Sequence, residues 1–188
     1  MTEVLVPGCH CESLPVNLCS AQRRTVLSEL ELDNNNIEKM HEILQVEESP
    51  QDIELTLHTL QPEGLRNKVE VVRDGKEARA FLFCRGAYGQ RSFDSPPRLV
   101  LLDLKLPKVD GLEVLREVKS DPSTKAIPVV ILTASPEEHD MVNGYHLGAN
   151  GYIQKPVDFD RFRDVVKQLG LYWLVVNAPP PPQAFRGH

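Results

Sequence analysis

No apolar run in this chain is long enough to cross a bilayer. A spanning helix needs roughly 20 residues, and the longest late run, Leu171–Val176 (LYWLVV), stops far short of that. The amino terminus, MTEVLVPGCHCESLPVN, has no uninterrupted apolar stretch of the signal-peptide kind, because Pro7, Gly8, Cys9 and Glu12 break it. These two absences predict a cytoplasmic protein with no membrane attachment. A surplus of positive charge is missing too. The formal net charge of −6 argues against binding nucleic acid through bulk electrostatics. Cysteine is scarce, and three of the four cysteines, Cys9, Cys11 and Cys19, lie near the start with His10 between the first two. Their C-x-C-x7-C spacing fits no common zinc pattern and no second cluster follows, so reduced thiols are expected there. Cys84 closes an apolar helical pattern and reads as a small core residue.

What remains is the makeup of a globular protein, 41% hydrophobic and 26% charged, with 188 residues: one domain plus tails. Residues 1–40 show little periodicity. Their prolines, the Asn34-Asn35-Asn36 run and scattered charges predict a flexible leader. From residue 41 the rhythm changes, and a domain is expected over 41–170. Residues 171–188 form an extension, apolar first and then proline-rich, with Pro179–Pro182 expected as polyproline II. The extension is too short for a DNA-binding output fold, and the leader has no helix-turn-helix pattern.

Within 41–170 five short apolar segments alternate with five helical patterns. Strands are expected at Ile43–Val46, Val69–Val72, Arg98–Asp103, Val129–Leu132 and Gly151–Ile153. Ser49-Pro50 opens the first helix with an N-cap and a proline at its first position, and Ile53, Leu57 and Leu60 mark its inner face. Asp74-Gly75 precedes the second helix, Asp110 the third and Asp158 the fifth. Ser135-Pro136-Glu137-Glu138 repeats the cap signature before the fourth, which Gly148 stops. Strict alternation with near-continuous apolar strands predicts an α/β fold. Its expected form is a doubly wound five-stranded parallel sheet in the order 2-1-3-4-5, a flavodoxin-like (βα)5 arrangement. Ligands of such sheets bind beyond the carboxyl ends of the strands, where the strand order reverses.

The residues delivered to that edge form a set. Strand one ends in Glu47-Glu48, strand three in Asp103, strand four in Thr133-Ala134, and strand five leads to Lys155-Pro156. In LVLLDLKLPKVDG an apolar run stops on one carboxylate, Asp103, and an acid beside a core costs several kcal/mol unless paired. Neighbouring carboxylates repel, and a hard cation resolves the conflict. Magnesium takes oxygen ligands and keeps several waters. Lysine adds a point charge for an oxyanion, and threonine a hydroxyl donor. Singly each residue has a plain structural explanation: a cap, a loop, β-propensity or a solvated surface. Together, in order and on the right strands, they are equipment for an acyl phosphate on Asp103.

These segments resemble the receiver domain of bacterial two-component response regulators over about residues 42–170. FLFCRGAYG, LPKVDGLEVLREVKSD, IPVVILTAS and YIQKPVDFDRF are most similar to the small stand-alone regulators of bacterial and cyanobacterial phytochrome kinases. The resemblance implies Asp103 as phosphoacceptor. It implies magnesium held by Glu47 through water, by Glu48 directly, by Asp103 and by the Lys105 carbonyl. It also implies Lys155 on the phosphoryl group, Thr133 as switch hydroxyl, Tyr152 as the aromatic that moves with it, Ala134 as a backbone donor, and a cis peptide before Pro156. The partners implied are a phytochrome-like histidine kinase and a second copy of the chain. The dimer contact expected is the helix 4–strand 5–helix 5 surface with the carboxyl-terminal extension.

Glu48 departs from the pattern, which has aspartate there. Its extra methylene adds about 1.5 Å of reach, and magnesium tolerates little error. A degenerate receiver, binding partners without phosphorylation, is the alternative this raises. Phosphatases of the haloacid dehalogenase type share the aspartyl chemistry but carry a second aspartate two residues on, where this chain has Lys105. His139 and His146 share one face of the fourth helix and read as ordinary surface residues.

Overall fold

The computed structural model describes residues 43–60, 69–135, 137–155 and 158–185. Contacts divide the chain into two units, 1–39 and 40–188, and every described residue belongs to the second. The expected leader with its cysteines, and the peptide before Pro156, lie outside the described residues.

Five strands form one parallel sheet: β1 (Ile43–Val46), β2 (Val69–Val72), β3 (Leu99–Leu102), β4 (Val129–Thr133) and β5 (Gly151–Gln154). Their order is β2-β1-β3-β4-β5, as the alternation requires. Ile43 pairs with Val69 on one side and Leu99 on the other, so the three strands at the switch point run in register. The connecting helices are α1 (Pro50–Leu60), α2 (Gly75–Leu82), α3 (Gly111–Ser120), α4 (Glu138–His146) and α5 (Phe159–Leu171).

Period-two alternation splits the strand residues between two cores. Leu44, Val46, Val100, Leu102, Val129 and Ile131 face one layer of helices. Ile43, Leu99, Leu101, Val130 and Leu132 face the other, with Phe162 and Val166 of α5. Both faces are covered, which is why these strands read as near-continuous apolar runs, broken in β1 only by the buried Gln45.

Local chemistry sets most helix starts. Asp52 N–H donates to the Ser49 hydroxyl at 3.3 Å, and Glu77 N–H to Asp74 at 2.8 Å. The Leu112 N–H reaches Asp110 at 2.8 Å, and the Arg161 N–H reaches Asp158 at 2.9 Å. α4 differs from its cap signature. It begins at Glu138 after Glu137, with no side-chain cap. The Ser135 hydroxyl instead donates to the buried Asp140 carboxylate at 2.7 Å, a charge-assisted bond that holds the side chain on Asp140. Gly148 ends the segment after α4 in the left-handed region, at φ +94.

Other expectations shift in detail. α1 turns Thr56 and Thr59 inward along with Ile53 and Leu60, leaving Leu57 half-buried. Thr56 is paired, accepting from the Gln45 amide at 3.2 Å. Cys84 is no core residue. It is half-buried, at φ 53, just past α2. α5 runs on past Gly170 through Leu171 into one π turn, Tyr172–Val176, and no proline follows before Pro179. Leu174 enters the core under α5 and Phe185 the core under α2 and α3. Pro182 opens a one-turn 3-10 helix, Pro182–Phe185.

Two close approaches fix the chain around Asp103. A Cβ on Gly111 would lie 2.3 Å from the Asp103 carbonyl oxygen, and one on Gly75 would lie 2.1 Å from that of Val109. α3 therefore starts directly against the strand end it follows. Lys108, at φ 68, bridges back to the Asp74 carboxylate, which caps α2. Burial alone would raise the Asp74 pKa, but Lys108 and the Glu77 amide hold it below the usual range.

Candidate functional site

Strand ladders continue one residue past the strands and pin the site's backbone. Asp103 N–H donates to the Val46 carbonyl at 3.0 Å, Glu47 N–H to that of Val72 at 3.0 Å, and Lys155 N–H to that of Thr133 at 2.7 Å. An acid at the end of β1, an acid at the end of β3 and a lysine at the end of β5 are thereby held at one edge of the sheet.

Their side chains meet. The Lys155 ammonium donates to Glu47 Oε2 at 2.5 Å, Asp103 Oδ2 at 2.7 Å and Asp52 Oδ2 at 2.8 Å. The side chains of Lys155, Glu47 and Asp103 are 8%, 5% and 9% exposed, and that of Asp52 is 32% exposed. Asp103 Oδ1 accepts from the Lys105 N–H at 3.1 Å, and Glu47 Oε1 from the Ser49 N–H at 3.0 Å. Burial would lower the Lys155 pKa, but hydrogen bonds to Asp103, Asp52 and Glu47 overcome it and raise it above the ordinary value. Burial raises the Glu47 pKa, and Lys155 offsets only part of that.

Thr133 is fully buried, and its hydroxyl accepts from the Ser135 N–H at 3.3 Å. Ala134 beside it is exposed. Tyr152 is half-buried and its hydroxyl reaches the Ser135 carbonyl at 3.5 Å. Its pKa is raised by burial and then by the charges of Asp140 and Asp103, so the ring lies in the field of both acids. Lys105 is exposed, with its ammonium 3.9 Å from Asp140. Glu48 is exposed and outside the cluster around Lys155. His139 and His146 are exposed, and His139 touches Glu137 at 3.2 Å and Asp140 at 3.1 Å.

Sequence reasoning brought Glu47, Asp103 and Lys155 together and missed Asp52. Its signal was faint: an acid in the first turn of a helix is ordinary dipole chemistry.

Three carboxylates around one ammonium leave two negative charges at the cluster. All the side-chain acceptors are oxygens, the donor set of a hard divalent cation. Charge and donor type both fit such an ion.

The response regulator receiver domain family matches residues 43–167. The chain belongs to that family. Among curated relatives, the receiver is 40% identical over 143 residues to response regulator Rcp1 of Synechocystis sp., covering 76% of this chain and 93% of Rcp1. It is 39% identical over 140 residues to the probable methanogenesis regulatory protein FilR2 of Methanothrix harundinacea, covering 74% of this chain and 88% of FilR2. Among solved structures, the phosphorylated cyanobacterial phytochrome response regulator RcpA is 42% identical with a TM-score of 0.69, over 74% of this chain and 97% of that one. Mn2+-bound Rcp1 superposes with the same TM-score at 38% identity, over 74% of this chain and 98% of that one. The receiver is thus a two-component signalling domain of a family that binds divalent metal, and no classical enzyme. Among the described residues no helix is long and apolar enough to cross a membrane.

Proposed function

We propose that this receiver accepts a phosphoryl group on Asp103 from a phosphohistidine of a partner kinase, and that the kinase is of the phytochrome type. The observation that carries the reading is the three-acid cage on Lys155. An acid pinned at a strand end, with an ammonium at 2.7 Å and a peptide N–H at 3.1 Å, is oriented as a nucleophile. The likeness to Rcp1 and to RcpA, a phytochrome response regulator, supports the kinase class.

In the transfer, Asp103 Oδ2 attacks phosphorus in line. The new O–P bond forms as the P–N bond breaks, and the imidazole leaves with a proton. Little covalent chemistry falls to the protein, so positioning and charge neutralisation dominate. Lys155 stays on the phosphoryl oxygens, and the Ala134 N–H and Thr133 hydroxyl donate to them. Magnesium, held by Glu47, Glu48, Asp103 and the Lys105 carbonyl, would neutralise the phosphoryl oxygens.

Phosphorylation adds about −1.5 to −2 charges and three acceptor oxygens. Thr133 turns from the Ser135 amide towards them, and Tyr152 packs into the space it leaves. The surface of α4, β5 and α5 changes with it. A shift from 1:99 to 99:1 needs about 5.5 kcal/mol, which a few charge-assisted hydrogen bonds of about 1.5–3 kcal/mol supply. The assembly expected is a homodimer through that surface and the carboxyl-terminal segment. Leu171, Tyr172, Val175 and Val176 support it, as four large apolar side chains exposed together there.

Glu48→Asp is expected to raise magnesium affinity severalfold, since one methylene less lets the carboxylate meet a ligand distance of about 2.0–2.1 Å. Calorimetric titration checks this, and an unchanged or weaker affinity removes Glu48 from the ligand set. The reading as a whole is tested by phosphotransfer from purified histidine kinases, phytochrome-type included. Transfer from none of them, together with refusal of acetyl phosphate, overturns it.

A further inference from the structure

We infer that Asp52 is the exchange partner of Lys155. Its carboxylate holds one N–H of the ammonium in the unphosphorylated protein and surrenders it to a phosphoryl oxygen when Asp103 carries one. This deepens the phosphoacceptor reading and rests on it.

An ammonium has three N–H groups, and those of Lys155 go to Glu47, Asp103 and Asp52 at 2.5, 2.7 and 2.8 Å. A phosphoryl oxygen therefore gains a bond from Lys155 only if a present acceptor lets go. Asp103 Oδ2 becomes the bridging oxygen of the acyl phosphate, a poor acceptor, so its N–H follows to one phosphoryl oxygen. A second bond from Lys155 to the three phosphoryl oxygens needs Glu47 or Asp52 to let go. Glu47 is 5% exposed, and stripping its counter-ion would leave a buried charge unpaired.

Asp52 differs on three counts. Its side chain is 32% exposed. It borders a solvent-open cavity of about 250 Å³ between α1 and α5, lined by Gln51 and Asp158 and by the apolar Leu55, Phe159 and Phe162, where a released carboxylate can meet water on the polar side. It also stands in the first turn of α1, where the helix terminus favours an anion that has no other partner. Its backbone stays fixed by the Ser49 hydroxyl, so only the side chain has to turn.

Asp52 thus competes with the phosphoryl group for one cation. It holds Lys155 against the phosphoryl group, and its charge opposes an incoming phosphodonor. Removing that charge favours the phosphorylated state in both directions of the reaction. Asp52→Asn should accept phosphate from acetyl phosphate faster and keep it about three- to tenfold longer, between what an exposed and a charge-assisted pair are worth. Asp52→Glu should restore near wild-type behaviour.

The experiment loads the full chain with acetyl phosphate and magnesium, removes the donor, and follows phosphorylated protein by phosphate-affinity electrophoresis. Manganese titration of the same variants is run beside it. A longer lifetime in Asp52→Asn with unchanged metal affinity and rescue by glutamate is the expected result. An unchanged or shorter lifetime on a labelled wild-type background overturns this inference alone. A lifetime that falls together with metal affinity also overturns it, by making Asp52 a servant of the cation. No label on the wild-type chain overturns the phosphoacceptor reading and this inference with it.

Discussion

Asp103→Asn is expected to take up no phosphoryl group from acetyl phosphate and magnesium, while the wild-type chain gains one. The amide is isosteric, but it carries no anionic lone pair to attack phosphorus. The fold should barely notice. The Lys105 N–H keeps an oxygen to donate to. The amide NH2 meets the Lys155 ammonium as donor against donor, and the ammonium turns to Glu47 and Asp52, which it keeps. Removing one acid from a cluster of three also relieves repulsion, so stability should change by no more than about 1 kcal/mol. Intact-mass measurement reads the label and a denaturant titration reads the fold. A labelled Asp103→Asn would move the phosphoacceptor elsewhere. An unlabelled but unfolded one would make Asp103 a structural residue only.

Lys155→Met should be the most destabilising change at the site. It strips the counter-ion from Glu47 and Asp103, both nearly buried, and breaking such a pair costs about 3–5 kcal/mol. Asp52, a third exposed, adds little to that sum. The loss should depend on pH in one direction. Glu47 already binds its proton more tightly folded than unfolded, since burial raises its pKa above 4.5. Without Lys155 only the Ser49 amide opposes the burial and the Asp103 charge, and the pKa rises further. The folded state then holds more protons than the unfolded state above pH 4.5, so stability falls as pH rises through that window. The deficit against wild type should be smallest in the ordinary carboxylate range and deepen as pH rises above it. Urea titrations at several pH values measure it. A deficit that is flat with pH, or that deepens on acidification, would show that Lys155 does not neutralise these acids.

Much of the site was legible because each piece ends an apolar run. Leu99–Leu102 is buried on both faces, so the residue after it must emerge at the carboxyl edge of the sheet, and Asp103 does. The same reasoning placed Glu47, while Lys155 follows the half-buried strand β5, which ends on the exposed Gln154. Parallel register then brings strand ends to a common level without further information. Asp52 was not legible that way. Its direction depends on how α1 lies across β1 and on where β5 ends, both set by tertiary packing. Glu48 follows the same logic, because the adjacent acid Glu47 already faces Lys155 and successive residues point apart.

The carboxyl-terminal segment was the least legible. Its apolar run left packing on the domain and contact with a partner both open, and the residues divide: Leu174 and Phe185 enter opposite cores while Val175 and Val176 remain in water. Nothing local separates these cases. The Ser135 cap failed for a related reason: a signature four residues long was overridden by Asp140 within hydrogen-bond reach.

Mapping the acyl phosphate tests the account most directly. The full chain is loaded with acetyl phosphate and magnesium, and reduced with borohydride, which converts a phosphorylated aspartate to homoserine. The digest is then sequenced by mass spectrometry. Homoserine at residue 103 alone is the result expected. Homoserine at residue 52 or 140, or none anywhere in a chain shown to be folded, would contradict it.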